Sequence, residues 1–455
     1  MSELNAAKSN LVIASLCEEF KKNNHIPAEA YSRLNVCRGL RNADGTGVLS
    51  GLTQIGNVRG YTMIDNERHP LEGELFYRGI NVKDLVHGVL ADNRFGYEEV
   101  AYLILFGQLP TREQLDIFQN LLHEHRELPK NFTEDMIIKA PSSNIMNKLA
   151  RSVLVMYSYD DDPDDCSLEN MLRQSIALIA QMPIIAAQAY QVKRHYFEHK
   201  SMYLHIPPAG LSTAETLLYC IRKDKKYTQE EARLLDLCLI LHAEHGGGNN
   251  SAFSCRVLSS SGTDTYSAIG AALGSLKGPL HGGANLRVCN MLADIEANVS
   301  NWKDDEEVAN YLRRIIRREV GDQSGKIYGM GHAIYTLSDP RAVLLKDYAR
   351  NLAKKTDFIE RFELIEAVER LTPQVFLEEK GNNKPLCANV DLYSGLIYEM
   401  LNIPKDLYTP IFAIARMVGW CAHRIEEATT GGRIIRPAYK SLSPVSEYIP
   451  LSDRK

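Results

Sequence analysis

The chain has 455 residues, 45% of them hydrophobic and 24% charged, and 52 Lys and Arg against 57 Asp and Glu leave a net charge of -5. That balance is ordinary for a soluble globular protein and offers no basic block for nucleic acid or a membrane surface. Nine scattered cysteines without a C-x-x-C pair argue against a disulfide framework or zinc ribbon and for a reducing compartment.

The N-terminal stretch is apolar only around Leu11 to Leu16 and carries Glu3, Glu18 and Glu19, which suits neither a signal peptide nor an acid-poor presequence. No run approaches the ~18 apolar residues of a membrane span, and a cytoplasmic protein is expected. Residues 42 to 80 hold the marked strand character, with short β-prone pieces between turn residues. Beyond them the pattern is helical. One helix should stop at Gly107 and the next start at Thr111, with Gln114 completing a capping box. Ser167 is a natural N-cap after the acidic run YDDDPDDC, and Thr228 with Glu231 caps a helix that runs toward Gly246. In TDTYSAIGAALGSLKG, Gly270 and Gly274 allow close helix approach, either in a core or at a subunit interface. Helices continue through 308–320, 340–356 and 362–371. The expected fold is mainly α with a small N-terminal β element, and the length suits two domains or one large domain with a lobe.

Five places look like chemistry. His281, in GPLHGGAN, stands just before a helix whose apolar stripe includes Val288, Met291, Leu292 and Ile295. The macrodipole there disfavours a positive ring, so a neutral imidazole that can donate to a carbonyl oxygen is expected; the plainer reading is a helix cap. His332, in GMGHAIYTLSDPR, follows Gly329 and Gly331, and Ser338 or Asp339 can cap a helix opening at Pro340. Arg341 then opposes the dipole and calls for an anionic partner, whether a ligand or a nearby carboxylate. Asp391, in NVDLYSG, reads either as an N-cap or as a carboxylate base. Arg416 lies inside an apolar helix and needs a counter-charge from protein or ligand, with Arg436 following beyond Gly431 and Gly432. In LHAEHGGG, His242 and His245 lack a third ligand at a metal-binding spacing, so no metal is expected and His245 reads as a polar group facing a ligand. Walker, G-x-S-x-G and dinucleotide fingerprints are absent from the sequence.

Together and in this order, HAEHGGGNNSAF, GPLHGGAN, GMGHAIYTLSDPR, NVDLYSG and the Arg416/Arg436 pair resemble the motifs of the citrate synthase family. The likeness extends upstream through ELFYRGINVKDLV and EEVAYLILFGQLPTREQL. The resemblance implies a two-domain helical homodimer: residues 1–284 begin the large domain, 285–400 form a small domain that closes over the site, and 401–455 complete the large domain and reach the neighbouring subunit. It implies condensation of acetyl-coenzyme A with oxaloacetate, then hydrolysis of citryl-coenzyme A to citrate and coenzyme A, with no further cofactor. By the same resemblance His281 hydrogen-bonds the thioester oxygen, Asp391 takes a methyl proton and His332 protonates the oxaloacetate carbonyl. His245, Arg341 and Arg416 would bind oxaloacetate, and Arg436 would serve the neighbouring subunit's site. Two positions depart from the family pattern. Thr336 stands where many members carry a basic residue for coenzyme A phosphates, which leaves Lys326 as a substitute donor, and Leu392 replaces an aromatic residue. These departures leave room for a 2-methylcitrate synthase using propionyl-coenzyme A; a non-catalytic ligand-binding relative is the rival from another class.

Overall fold

A short sheet followed by helix upon helix is also what the computed structural model shows; it describes residues 3–65, 67–381 and 384–454. The chain divides into two compact units, one of Gly51–Ile435 and one that joins the chain up to Ser50 to the residues from Arg436 on. The second of these holds α1 (Glu3–Asn23) and α2 (Glu29–Arg33), and it exposes Leu16, Phe20, Tyr439 and Tyr448.

The larger unit opens with an antiparallel sheet of β1 (Gly56–Ile64), β2 (Glu67–Tyr77) and the short β3 (Ile80–Asn81), in that order. Helices α3 (Val82–Ala91), α4 (Tyr97–Phe106) and α5 (Arg112–Glu124) follow. As expected, α4 ends on Gly107 in the left-handed region and α5 starts on the reciprocal Thr111/Gln114 box. Next come α6 (Ile145–Met156), α7 (Leu168–Glu198), α8 (Thr213–Ile221) and α9 (Gln229–His242). Ser167 caps α7, and the Thr228/Glu231 box starts α9. The remaining helices are α10 (Asn250–Ser259), α11 (Thr265–Lys277), α12 (Ala284–Asn298), α13 (Asp305–Ile316), α14 (Pro340–Ala353), α15 (Ile359–Lys380), α16 (Val390–Met400) and α17 (Tyr408–Thr429).

The core gathers on α17, which packs against α4, α7, α9, α10 and α11. Its apolar residues point all round because neighbours surround it, and Trp420 is fully buried. Although the sequence has no uninterrupted apolar run of spanning length, α7 is long and apolar enough to cross a membrane by length and mean hydropathy. Yet 83% of its apolar window is buried inside the protein. Of the two glycines on α11, Gly270 lies against Leu154 of α6, where a Cβ would come within 2.9 Å of Leu154 Cδ2, while Gly274 faces open space.

The sheet does more than begin the fold. Its register slips between Arg59 and Tyr61, and the irregular stretch grips the chain from Ile334 to Pro340. The Leu71 N–H donates to Thr336 Oγ1 at 3.2 Å, and Thr336 Oγ1 donates to the carbonyl of Gly60 or, at 3.1 Å, to that of Leu71. The Gly73 N–H donates to Ser338 Oγ at 3.1 Å, and Arg68 to the Ile334 carbonyl at 3.1 Å. Contact is so close that a Cβ on Gly73 would sit 2.1 Å from the Ser338 carbonyl oxygen. Gly73→Ala should therefore cost about 1–3 kcal/mol by overpacking. Gly88→Ala, inside α3 with nothing within 4 Å of the new methyl, should gain up to ~1 kcal/mol. Denaturant midpoints of the two variants check this; equal shifts would refute the sheet's role as a clasp.

Candidate active site

The segment clasped by the sheet carries His332, and its other side is fixed by backbone. Gly329 and Gly331 adopt φ of 84° and 87°, and a Cβ on Gly329 would meet Leu392 Cδ1 at 2.8 Å. The Gly331 N–H donates to the Cys387 carbonyl at 2.7 Å and the Asn389 N–H to the Gly329 carbonyl at 2.8 Å. His332 is thereby held beside the start of α16. Its Nδ1 accepts N–H groups from Ile334 at 3.1 Å and Tyr335 at 3.2 Å. A neutral ring accepting there carries its proton on Nε2, so His332 is set up as a donor.

Asp339 rather than Ser338 caps α14, and its carboxylate also pairs with Arg341 through Nε at 3.0 Å and Nη2 at 2.7 Å. The carboxylate reading of Arg341's partner is thus realised. The Tyr335 ring stacks on His332, with centroids 4.6 Å apart, and its hydroxyl lies 3.2 Å from His245 Nε2. His245 is buried, and burial followed by the charge of Arg341 holds its pKa well below the ordinary histidine value. His242 does not share this role. Its Nδ1–H donates to the Cys238 carbonyl at 2.7 Å and its ring packs on Phe412, while burial pushes its pKa down to about 3. Among the described residues no group of three His, Cys, Asp or Glu side chains could hold a metal.

Arg416 is fully buried. Its Nε donates to the His242 carbonyl at 2.6 Å, but Nη1 and Nη2 have no hydrogen-bond partner. Leaving such donors unmade costs at least ~1–3 kcal/mol each, so they mark where an acceptor belongs. Burial pushes the Arg416 pKa down to about 10, and the charge of Glu244 resists that fall. Glu244 is a residue that the sequence reading passed over. Burial opposes its charge, but His423 at 3.0 Å and Arg416 hold its carboxyl below the ordinary value. Gly56 and Gly419 make room for it, since a Cβ at either would come within 2.8 Å of its side chain. The Arg256 Nε–H donates to His423 Nδ1 at 3.1 Å, which directs the Nε2–H of that histidine at Glu244.

His281 lies three residues ahead of α12, whose N-cap is Gly283. It therefore does not cap the helix. Its pKa is pushed down to about 4 by burial first and Arg416 second. The neutral ring expected from the macrodipole stands, for a different leading cause. Ser251 is the second residue overlooked in the sequence: its Oγ accepts from Trp420 Nε1 at 3.1 Å and lies 3.0 Å from His281 Nε2. The one hydroxyl proton has Asn249 Oδ1, at 2.9 Å, and His281 Nε2 as acceptors. When it goes to the imidazole, Nδ1 carries the ring proton.

The N-cap reading of Asp391 is corrected. Asn389 caps α16, accepting the Asp391 N–H at 3.0 Å, so the Asp391 carboxylate in the first turn is left over for another purpose. Burial raises its pKa to about 6 against the opposing charge of Arg341. Asp391 and His281 open onto one cavity of about 30 Å³. The site thus joins a carboxylate able to accept a proton, neutral imidazoles able to donate hydrogen bonds, and two buried guanidinium groups. Arg436 lies in the other unit, exposed.

Residues 43–438 match the family model described as citrate synthase, C-terminal domain. A citrate synthase from Synechocystis is 32% identical over 390 residues, covering 84% of this chain and 89% of the relative. The 2-methylcitrate synthase 1 of Corynebacterium glutamicum is 32% identical over 406 residues, covering 88% and 97%. The solved ternary complex of Thermoplasma acidophilum citrate synthase with carboxymethyl coenzyme A and oxaloacetate has a TM-score of 0.73 at 26% identity, covering 92% of this chain and 99% of that one.

The raised pKa of Asp391 makes a stability prediction. Its contribution to folding is fully present below the unfolded value near 3.8 and is lost as pH rises through about 6. Asp391→Asn should therefore melt above the parent at pH 8, with the difference shrinking as the pH falls through 6 toward 4. Melting curves showing a difference independent of pH would refute the buried-charge account.

Proposed function

This chain belongs to the citrate synthase family and is an acyltransferase; on that premise we propose that it joins acetyl-coenzyme A to oxaloacetate and hydrolyses the citryl thioester. The observation that carries the reading is the shared cavity of Asp391 and His281. A carboxylate titrating near 6 is ionised at neutral pH yet basic enough to take a proton from carbon, provided the developing oxyanion is stabilised.

Asp391 takes a proton from the acetyl methyl while His281 donates its Nδ1–H to the thioester oxygen, in the tautomer that a Ser251 hydroxyl donating to Nε2 selects. A neutral donor suits this step because it polarises the oxygen without surrendering a strongly acidic proton. Removing one such donor typically costs ~3 kcal/mol, a factor of 100 or more in rate. The enol carbon then attacks the ketone carbon of oxaloacetate, and His332 delivers its Nε2 proton to the ketone oxygen as that oxygen becomes an alkoxide. Arg341, Arg416 and His245 hold the two carboxylates, with the unpartnered nitrogens of Arg416 as one docking point. Water finally splits the thioester to give citrate and coenzyme A.

The same reading makes the protein a cytoplasmic homodimer without a further cofactor, in which Arg436 serves the neighbouring subunit's oxaloacetate site. Residues 285–400 close over the substrates as a small domain and exclude water. The Thr336 side chain carries no charge and its hydroxyl is occupied in the sheet clasp, which supports assigning a coenzyme A phosphate to a cation elsewhere. Lys326 is our choice, since with Arg287 it borders a cavity of about 280 Å³. The likeness to a 2-methylcitrate synthase supports propionyl transfer as the second reading, through the same residues.

Thiol release from purified protein, dependent on oxaloacetate and acetyl-coenzyme A, tests the function. kcat/KM should fall on the acid side with an apparent pKa near 6; folded protein without thiol release would sink the proposal. Asp391→Ala should lose about 10²–10⁴ in turnover while still binding oxaloacetate by calorimetry. Mixing Asp391→Ala with Arg436→Ala subunits should restore part of the activity through one intact composite site. Verified mixed dimers with no recovery would refute the shared site.

A further inference from the structure

The cavity shared by His281 and Asp391 has an aromatic lining that the mechanism does not use. At about 30 Å³ it has room for roughly a water or a methyl group. Tyr398 of α16 and Tyr408 and Phe412 of α17 line it together with the reacting groups. Both tyrosines are buried at 2% exposure, and their rings pack with centroids 5.0 Å apart. Phe412 is held on two sides, by the His242 ring at 4.8 Å and by the Arg416 guanidinium 4.6 Å from its centroid. The wall is also tied to the His281 loop, because Thr409 Oγ1 donates to the Gly282 carbonyl at 3.0 Å. Gly282 itself has no slack, since a Cβ there would lie 2.0 Å from the Leu276 carbonyl oxygen. A close-packed boundary of this kind does not swell to admit another carbon without strain.

We propose that Tyr408, Tyr398 and Phe412 form a size gate for the acyl group, admitting a two-carbon acyl thioester and rejecting longer ones. The proposal rests on the reading above, that the acyl end of the thioester lies between His281 and Asp391. These three residues would meet any carbon carried beyond the reacting α-carbon and so set specificity; they transfer no proton. Tyr408 is the position to vary, because its buried hydroxyl has no hydrogen-bond partner and its loss breaks no polar contact.

The experiment compares kcat/KM for acetyl-, propionyl- and butyryl-coenzyme A in the unaltered enzyme and in Tyr408→Leu, with oxaloacetate saturating. The unaltered enzyme should favour acetyl over propionyl by about 10–200-fold, the range one methylene commands in an apolar pocket. In Tyr408→Leu the propionyl-to-acetyl ratio should rise at least ~10-fold. Equal use of acetyl and propionyl thioesters by the unaltered enzyme would overturn the gate and leave the family chemistry intact. So would an unchanged ratio in folded, active Tyr408→Leu. The comparison within the unaltered enzyme decides the matter even if the variant does not fold. Folded unaltered protein that releases thiol from none of the three donors would overturn the catalytic reading and the gate together.

Discussion

The carboxylate of Asp339 is the contact on which the site's geometry depends. It accepts the Arg341 N–H at the start of α14, the Arg341 side chain, and the Val390 N–H that opens α16. One buried carboxylate therefore fixes the Arg341 guanidinium, the end of the His332 loop and the beginning of the helix that bears Asp391. A buried carboxylate with fewer partners would carry a large desolvation penalty; this one is surrounded by donors. The sheet secures the same loop from outside through Thr336 and Ser338, so His332 is located by side chains and backbone from both directions.

The electrostatics of the site follow from burial under a positive field. Arg341 and Arg416 both disfavour a second cation nearby, and His245 and His281 respond by staying neutral. Burial, against the opposing charge of Arg341, makes the Asp391 carboxyl harder to ionise than an ordinary aspartate. Two aspartates near the same arginine thus differ in setting: Asp339 is paired with it, while the Asp391 carboxyl is buried and raised in pKa. Glu244 completes the balance by accompanying Arg416 into the core, supported in turn by His423 and Arg256.

Local signals were legible in the sequence to the extent that their physics is local. The boxes at Thr111 and Thr228, the Ser167 cap and the stop at Gly107 involve partners a few residues away, and the structure has each of them. The identity of the site's neighbours was not legible, because it depends on contacts between distant segments. Nothing near Thr336 in the sequence points to strand β1, and nothing near Ser251 points to Trp420. Asp391 shows the limit most clearly: its position before an apolar helix suits a cap, and only the Asn389 side chain, two residues earlier, takes that role away. His281 was assigned the right protonation state by its place before a helix, but burial is the larger cause. The motif resemblance pointed to the residues from which the proposed function is built. It could not show Glu244 or the tyrosines behind the cavity, whose contribution is to the environment of other groups.

The unpartnered nitrogens of Arg416 have a meaning beyond catalysis. A buried guanidinium with two unmet donors is a local weakness, and an anion that satisfies them binds the folded chain alone. Each such anion lowers the population of opened forms by simple mass action. Proteolysis of those forms tracks their population when opening is fast relative to cleavage. On the proposed function that anion is the dicarboxylate substrate, so a rich supply of it should slow proteolysis of the protein and a poor supply should hasten it.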